Sequence, residues 1–130
     1  MRLKMTAMAN DLSVNYNDKD YALSLDQRIW MYHAEDRTYY RMFMPGYDSI
    51  IEINDGWDFN GDVFAPTFKP SLLTEGHISG KPRNHVFIAN GLIEFLTDCT
   101  HELAGHKGVE LPKLRDWPEW ARFWEPGDTE

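Results

Sequence analysis

The chain has a single cysteine, Cys99, among 130 residues. An internal disulfide is therefore excluded, and a reducing compartment is implied. No apolar run approaches the ~18 residues that a membrane-spanning helix needs. The opening Met1-Arg2-Leu3-Lys4-Met5 is basic, yet no apolar signal core follows it. A cytoplasmic protein with no secretion signal is the expectation. Cations are scarce: 13 Lys and Arg stand against 21 Asp and Glu, for a net charge of −8. That balance disfavours direct binding to nucleic-acid phosphate or anionic lipid, and it suits a partner with a basic surface. Internal repeats and low-complexity segments are missing too.

Aromatic side chains are plentiful, at 14% within a hydrophobic total of 42%, enough for one globular domain with a single modest core. The expected organisation is a loose tail over residues 1–11, one domain over 12–125, and a frayed end over 126–130, because the two ends lack apolar periodicity.

The organising stretch runs from Asn84 to His106. Two apolar runs of β-favouring residues flank Asn90-Gly91, the pair best suited to the positive φ angles of a type I′ turn. A two-residue loop fixes the register. Ala89 then faces Leu92, Phe87 faces Glu94 and His85 faces Leu96; on the other side Ile88 meets Ile93, Val86 meets Phe95 and Asn84 meets Thr97. The second set is largely apolar and is read as core. His85 and Asp98 share the opposite face as diagonal neighbours, roughly 7–8 Å apart at the backbone. Asn84 and Cys99 share the core side, with His101 just beyond.

The rest of the chain reads as further strands. Leu12–Tyr16 alternates, Asn17–Asp20 is a turn, and Tyr21–Leu25 is ambiguous. Arg28–His33 and Thr38–Met44 are aromatic β-rich runs separated by polar Ala34–Arg37, which predicts a second hairpin over a helix through Trp30–Tyr40. Ser49–Ile53 follows the Pro45-Gly46 turn. Asp55, Asp58, Asn60 and Asp62 crowd one loop; calcium-loop spacing is absent, so backbone-bonding turns are expected. Pro66–Ser71 must be extended, since each proline biases its predecessor away from the helical region. Leu72-Leu73 begin a short strand. Thr100 is placed to cap one helical turn over His101–Ala104, and Val109–Leu114 is a connector. Asp116-Trp117-Pro118-Glu119 reads as a capped helix start. The fold class is mainly β (α+β): a small antiparallel sheet of hairpins with one helical turn and a short C-terminal helix.

Four motifs in order carry a resemblance: Gly56-Trp57-Asp58-Phe59-Asn60-Gly61-Asp62, Pro66-Thr67-Phe68-Lys69-Pro70-Ser71, the hairpin, and Asp98-Cys99-Thr100-His101-Glu102-Leu103-Ala104-Gly105. Over about residues 42–112 the chain resembles a family of small, functionally uncharacterised proteins of bacteria and their phages. The resemblance implies a C-P-G-C knuckle and a C-H pair that look like a structural zinc site. This chain has Met44-Pro45-Gly46-Tyr47 and Asn84-His85 there instead. The turn survives and the thiols do not. Apolar packing of Met44 and Tyr47 is expected to take over part of the staple's work.

Three constellations are candidates for chemistry. His85, Cys99 and His101 form a metal-ligand set, with Asp98 or His106 to complete it; zinc is the one cofactor considered and none is expected, because paired ligand spacing is missing. His101-Glu102-Leu103-Ala104-Gly105-His106 varies the H-E-x-x-H metallopeptidase helix, but histidines five apart diverge by about 140° on a helix. A metal-dependent hydrolase would use His85, Asp98, His101 and Glu102. His85 and Asp98 can also form a general-base pair, with Thr100 or Cys99 as nucleophile, or simply lock the hairpin end. Trp117, Trp120 and Trp124 recur at helical spacing, as core or as a partner-binding surface. The leading functional expectation is a phage-encoded accessory protein whose acidic surface binds a host protein, inhibiting defence or aiding takeover. A metal-dependent hydrolase and a virion or assembly component are the alternatives.

Overall fold

The structure, a computed structural model, describes residues 2–5, 11–16, 19–75 and 80–122, the first two ranges as backbone. Eleven strands form among them: β1 Arg2–Met5, β2 Asp11–Tyr16, β3 Lys19–Ser24, β4 Trp30–Ala34, β5 Arg37–Met44, β6 Ser49–Asn54, β7 Asp58–Phe59, β8 Phe68–Thr74, β9 Asn84–Ala89, β10 Leu92–Phe95 and β11 Val109–Glu110. They assemble into antiparallel sheets ordered β1-β2-β3, β4-β5-β6 and β11-β10-β9-β8-β7. The mainly β fold is as the residue pattern predicts. No described helix is long and apolar enough to cross a membrane.

Strand alternation places each side chain. Along β5, Tyr40, Met42 and Met44 point into one core, where they meet Phe68, Leu72, Val86, Ile88, Ile93 and Phe95 of the five-stranded sheet. Phe43 of β5 points the other way, beside Trp30, Tyr32, Ile50, Leu114 and Trp117. The β4-β5-β6 sheet is therefore covered on both faces. Each fully buried side chain of this size contributes roughly 1.5–3 kcal/mol, so these two layers dominate the stability.

Arg41, only 1% exposed, lies within the second layer. Its Nε donates to Glu52 Oε2 at 2.7 Å and its Nη2 to the Tyr32 hydroxyl at 3.2 Å. The guanidinium lies 4.7 Å from the Trp30 ring centroid and 4.5 Å from that of Tyr32. Tyr32 in turn donates to Glu52 Oε2 at 2.7 Å. Burial, then the bond to Glu52, pushes the Tyr32 phenol well above its usual range, so it stays a donor.

Both predicted hairpins form. The central register pairs Leu92 with Ala89, Ile93 with Ile88, Glu94 with Phe87 and Phe95 with Val86. Asn90 and Gly91 take φ of 53° and 76°, as a type I′ turn requires. Glu35 and Asp36, at φ 53° and 63°, turn the β4–β5 hairpin in the same left-handed region. In the acidic loop Asn60 Oδ1 accepts from the backbone of Asp62 and Thr67, and Asp62 Oδ1 from Phe64 and Ala65, which is turn chemistry.

Several local expectations are corrected. Arg2–Met5 is a strand paired with β2, so that part of the expected tail is replaced by sheet. Val109–Glu110 is an edge strand on β10, not a connector. His101–Ala104 closes one turn, Ala104 N–H to His101 O at 3.2 Å, which Gly105 ends at φ 80°, but it does not grow into a helix: Gly105 N–H bonds Phe95 O and Phe95 N–H bonds His106 O, which ties this segment to the end of β10. Thr100 caps nothing there; its Oγ1 accepts from Arg83 N at 2.7 Å. The helix expected from Asp116 begins later. Leu114–Asp116 is a 3₁₀ turn, Trp117 is extended, and α1 spans Glu119–Arg122. Pro118 explains the break, since it biases Trp117 away from helical angles and itself suits a helix start. Trp124 and the end expected to fray lie outside the described residues.

Candidate functional site

The corner at the open end of the β9–β10 hairpin is assembled by the turn that follows β10. Leu96 N–H bonds His85 O at 2.9 Å, and Cys99 N–H closes back on Leu96 O at 3.2 Å. Thr100 N–H reaches Arg83 O at 3.0 Å, so residues 96–100 run beside the start of β9. The Cys99 thiol sits against the His85 backbone, 3.3 Å from its N and 3.4 Å from its O. Asp98 at the apex of this turn is thereby aimed at the His85 ring. His85 Nδ1 lies 3.0 Å from Asp98 Oδ2 and 3.2 Å from Oδ1. The hydrogen bond from His85 is the largest cause that holds the Asp98 carboxyl below its usual range; Arg83, donating Nε to Asp98 Oδ2 at 3.2 Å, adds to it.

The other ring nitrogen meets a residue that the sequence does not single out. His85 Nε2 lies 3.0 Å from Ser71 Oγ. Ser71 reaches it through a bulge. Phe68 pairs with Ile88 and Leu72 with Val86, so Lys69, Pro70 and Ser71 stand opposite the one residue Phe87. Pro70 has no N–H to give the ladder, and such extra residues re-aim the side chains beside them. An ionised Asp98 holds the proton on Nδ1 and leaves Nε2 as an acceptor for the Ser71 hydroxyl. The result is a continuous chain, Ser71 to His85 to Asp98, on the outer face of the five-stranded sheet. His85 and Asp98 also border an open cleft of about 480 Å³, with Leu96, Thr97, Glu94 and Lys107.

His101 belongs to a different arrangement. Its Nε2 donates to Asn84 Oδ1 at 2.8 Å and its Nδ1 accepts from Leu103 N–H at 3.1 Å. Its ring packs edge-on against Phe95 at 5.1 Å. Gly46 backs onto it so closely that a Cβ there would fall 2.5 Å from Nδ1. The Met44–Tyr47 turn and Asn84 therefore meet around His101. Met44 and Tyr47 are both buried in the main core, as their apolar character predicts.

The proposed ligand set of His85, Cys99 and His101 is not brought together. Among the described residues no three His, Cys, Asp or Glu side chains converge as a metal cluster would need. Both ring nitrogens of His85 and of His101 are engaged in hydrogen bonds, and Cys99 packs on backbone. Glu102, exposed, forms no part of the Ser71–His85–Asp98 chain. The Trp stripe is divided as well. Trp117 is buried with its Nε1 bonded to Pro112 O at 3.2 Å, whereas Trp120 is half exposed and leans on Phe43.

Burial is the first cause that lowers the His101 pKa below its usual 6.5, and the imidazole is held neutral. The unfolded chain then binds the extra proton first. Below pH ~6.5 the unfolded state is favoured progressively until the folded pKa is passed. Urea unfolding should show stability falling as pH drops through this window. A His101→Gln variant should flatten that slope relative to the wild type; an unchanged slope would assign it to other groups.

Compared with known proteins, the chain matches no family model, no curated protein and no solved structure.

Proposed function

We propose that the protein is a serine-nucleophile hydrolase acting on a carboxylic ester, with Ser71 as nucleophile, His85 as general base and acid, and Asp98 as the group that orients His85. One observation carries this reading: 3.0 Å from Ser71 Oγ to His85 Nε2, continued by 3.0 Å from His85 Nδ1 to Asp98 Oδ2. Nucleophile–base–carboxylate chains of this geometry recur on unrelated folds and are recognised by geometry and not by sequence order.

In the first step Ser71 Oγ attacks the ester carbonyl carbon and its proton passes to His85 Nε2. Asp98 stabilises the imidazolium. The C–O bond to the leaving group breaks as Nε2–H protonates the departing alkoxide, leaving an acyl group on Ser71. Water, deprotonated by His85, then attacks that acyl carbon; the acid is released and Ser71 Oγ regains its proton. His101 and Glu102 have no part in these steps. Binding of a basic host protein and a role in assembly rest on the net charge and on the resemblance; no feature of the described surface favours either over this reading.

The direct test is a serine-directed phosphonofluoridate. It should add one adduct at Ser71 by peptide mass spectrometry. Labelling should vanish in Ser71→Ala and slow by at least a hundredfold in His85→Ala. An intact protein that takes up no reagent at Ser71 would overturn the proposal.

A further inference from the structure

We infer that Leu73 and Phe87 select the substrate, by seating an uncharged, apolar acyl group beside Ser71. The inference rests on the hydrolase reading above. Leu73 faces His85 directly across β8–β9. Phe87 follows His85 by two along β9, on the same face, and stands opposite the bulge that carries Ser71. These side chains are 47% and 46% exposed, although both belong to strands whose other face is core. Leu92, 44% exposed, extends the same outer face on β10. Isolated exposed apolar residues need no explanation, but three share one sheet face here, and two of them, Leu73 and Phe87, flank the Ser71–His85 pair.

Charge narrows the occupant further. The charged groups at the rim of this apolar face are paired with one another, Asp98 with Arg83 and His85, and Glu94 with Lys107 at 3.9 Å. The whole chain carries −8. A phosphate ester or a free carboxylate would approach against the net charge of the chain and find the rim cations already paired, whereas a neutral alkyl or aryl acyl group would not. A short neutral ester is the substrate class that fits both the apolar face and its rim.

The test separates this subsite from the nucleophile. Hexanamide and acetamide are neutral and share the amide group; binding is followed by shift titration of the intact protein. A fully buried CH₂ is worth about a fourfold gain, and a half-covered one about twofold. Hexanamide, longer by four CH₂ groups, should therefore bind roughly fifteenfold more tightly than acetamide. The double variant Leu73→Ser/Phe87→Ser, altered only at exposed positions, should lose that difference while keeping its fold by circular dichroism. Equal affinity for the two amides in the wild type, or a preference that survives the double substitution, overturns the inference. Phosphonofluoridate labelling at Ser71 reports separately on the nucleophile: labelling without chain-length preference removes the subsite alone, and preference without labelling removes the hydrolase reading.

Discussion

Replacing Arg41 by alanine is expected to destabilise the protein by about 3–5 kcal/mol. The guanidinium is buried with Glu52, Tyr32 and Trp30 around it. Its removal leaves a cavity beside the Trp30–Tyr32 ring pair and takes from Glu52 the cation that offsets its desolvation. At roughly 3–5 °C per kcal/mol for a chain of this size, the melting temperature should fall by about 10–20 °C. The comparison variant is Arg41→Met with Glu52→Gln, which fills the space and removes the orphaned charge together. It should recover more than half of the loss, because the cost lies in the uncompensated carboxylate and the void. A single alanine variant within 1 kcal/mol of wild type would show that this cluster contributes packing alone.

Asp98→Asn is expected to lower kcat for a short neutral ester by 10³–10⁴-fold, on the order seen when a triad loses its orienting carboxylate. The argument concerns the tautomer. A carboxylate only accepts, so it requires a proton on His85 Nδ1 and frees Nε2 to take the proton from Ser71. An amide can instead present its NH₂ to Nδ1, which places the proton on Nε2 and blocks the base. Because the Asp98 side chain is 43% exposed, the fold should tolerate the change, and a melting curve close to wild type is the control. Unaltered kcat in the folded variant would mean that Asp98 only fastens the hairpin end.

Much of this geometry is legible before folding is considered, and for a local reason. Asn90-Gly91 admits one tight turn, and a two-residue loop leaves one register, so the pairing of His85 with Leu96 and the nearness of Asp98 follow from alternation alone. The Pro66–Ser71 segment is likewise extended because proline allows little else. The helix start was displaced by Pro118, whose effect on Trp117 outweighed the acid placed for a cap. Ser71 was missed for a different reason. It lies 14 residues from His85, and the strand that carries it meets β9 through a bulge whose position no local pattern states.

The sequence by itself determined the β class, the central hairpin with its register, and the turn chemistry of the acidic loop. Each of these depends on φ preferences or on the two-residue period, which act between near neighbours. Only the tertiary structure decided that Ser71 lies within hydrogen-bond reach of the His85–Asp98 pair, that His101 bonds Asn84, and that Arg41 is buried against the Trp30–Tyr32 ring pair. Those outcomes depend on how sheets stack and where a ladder slips, and a side chain's partner across such a contact is set by packing that spans the whole domain.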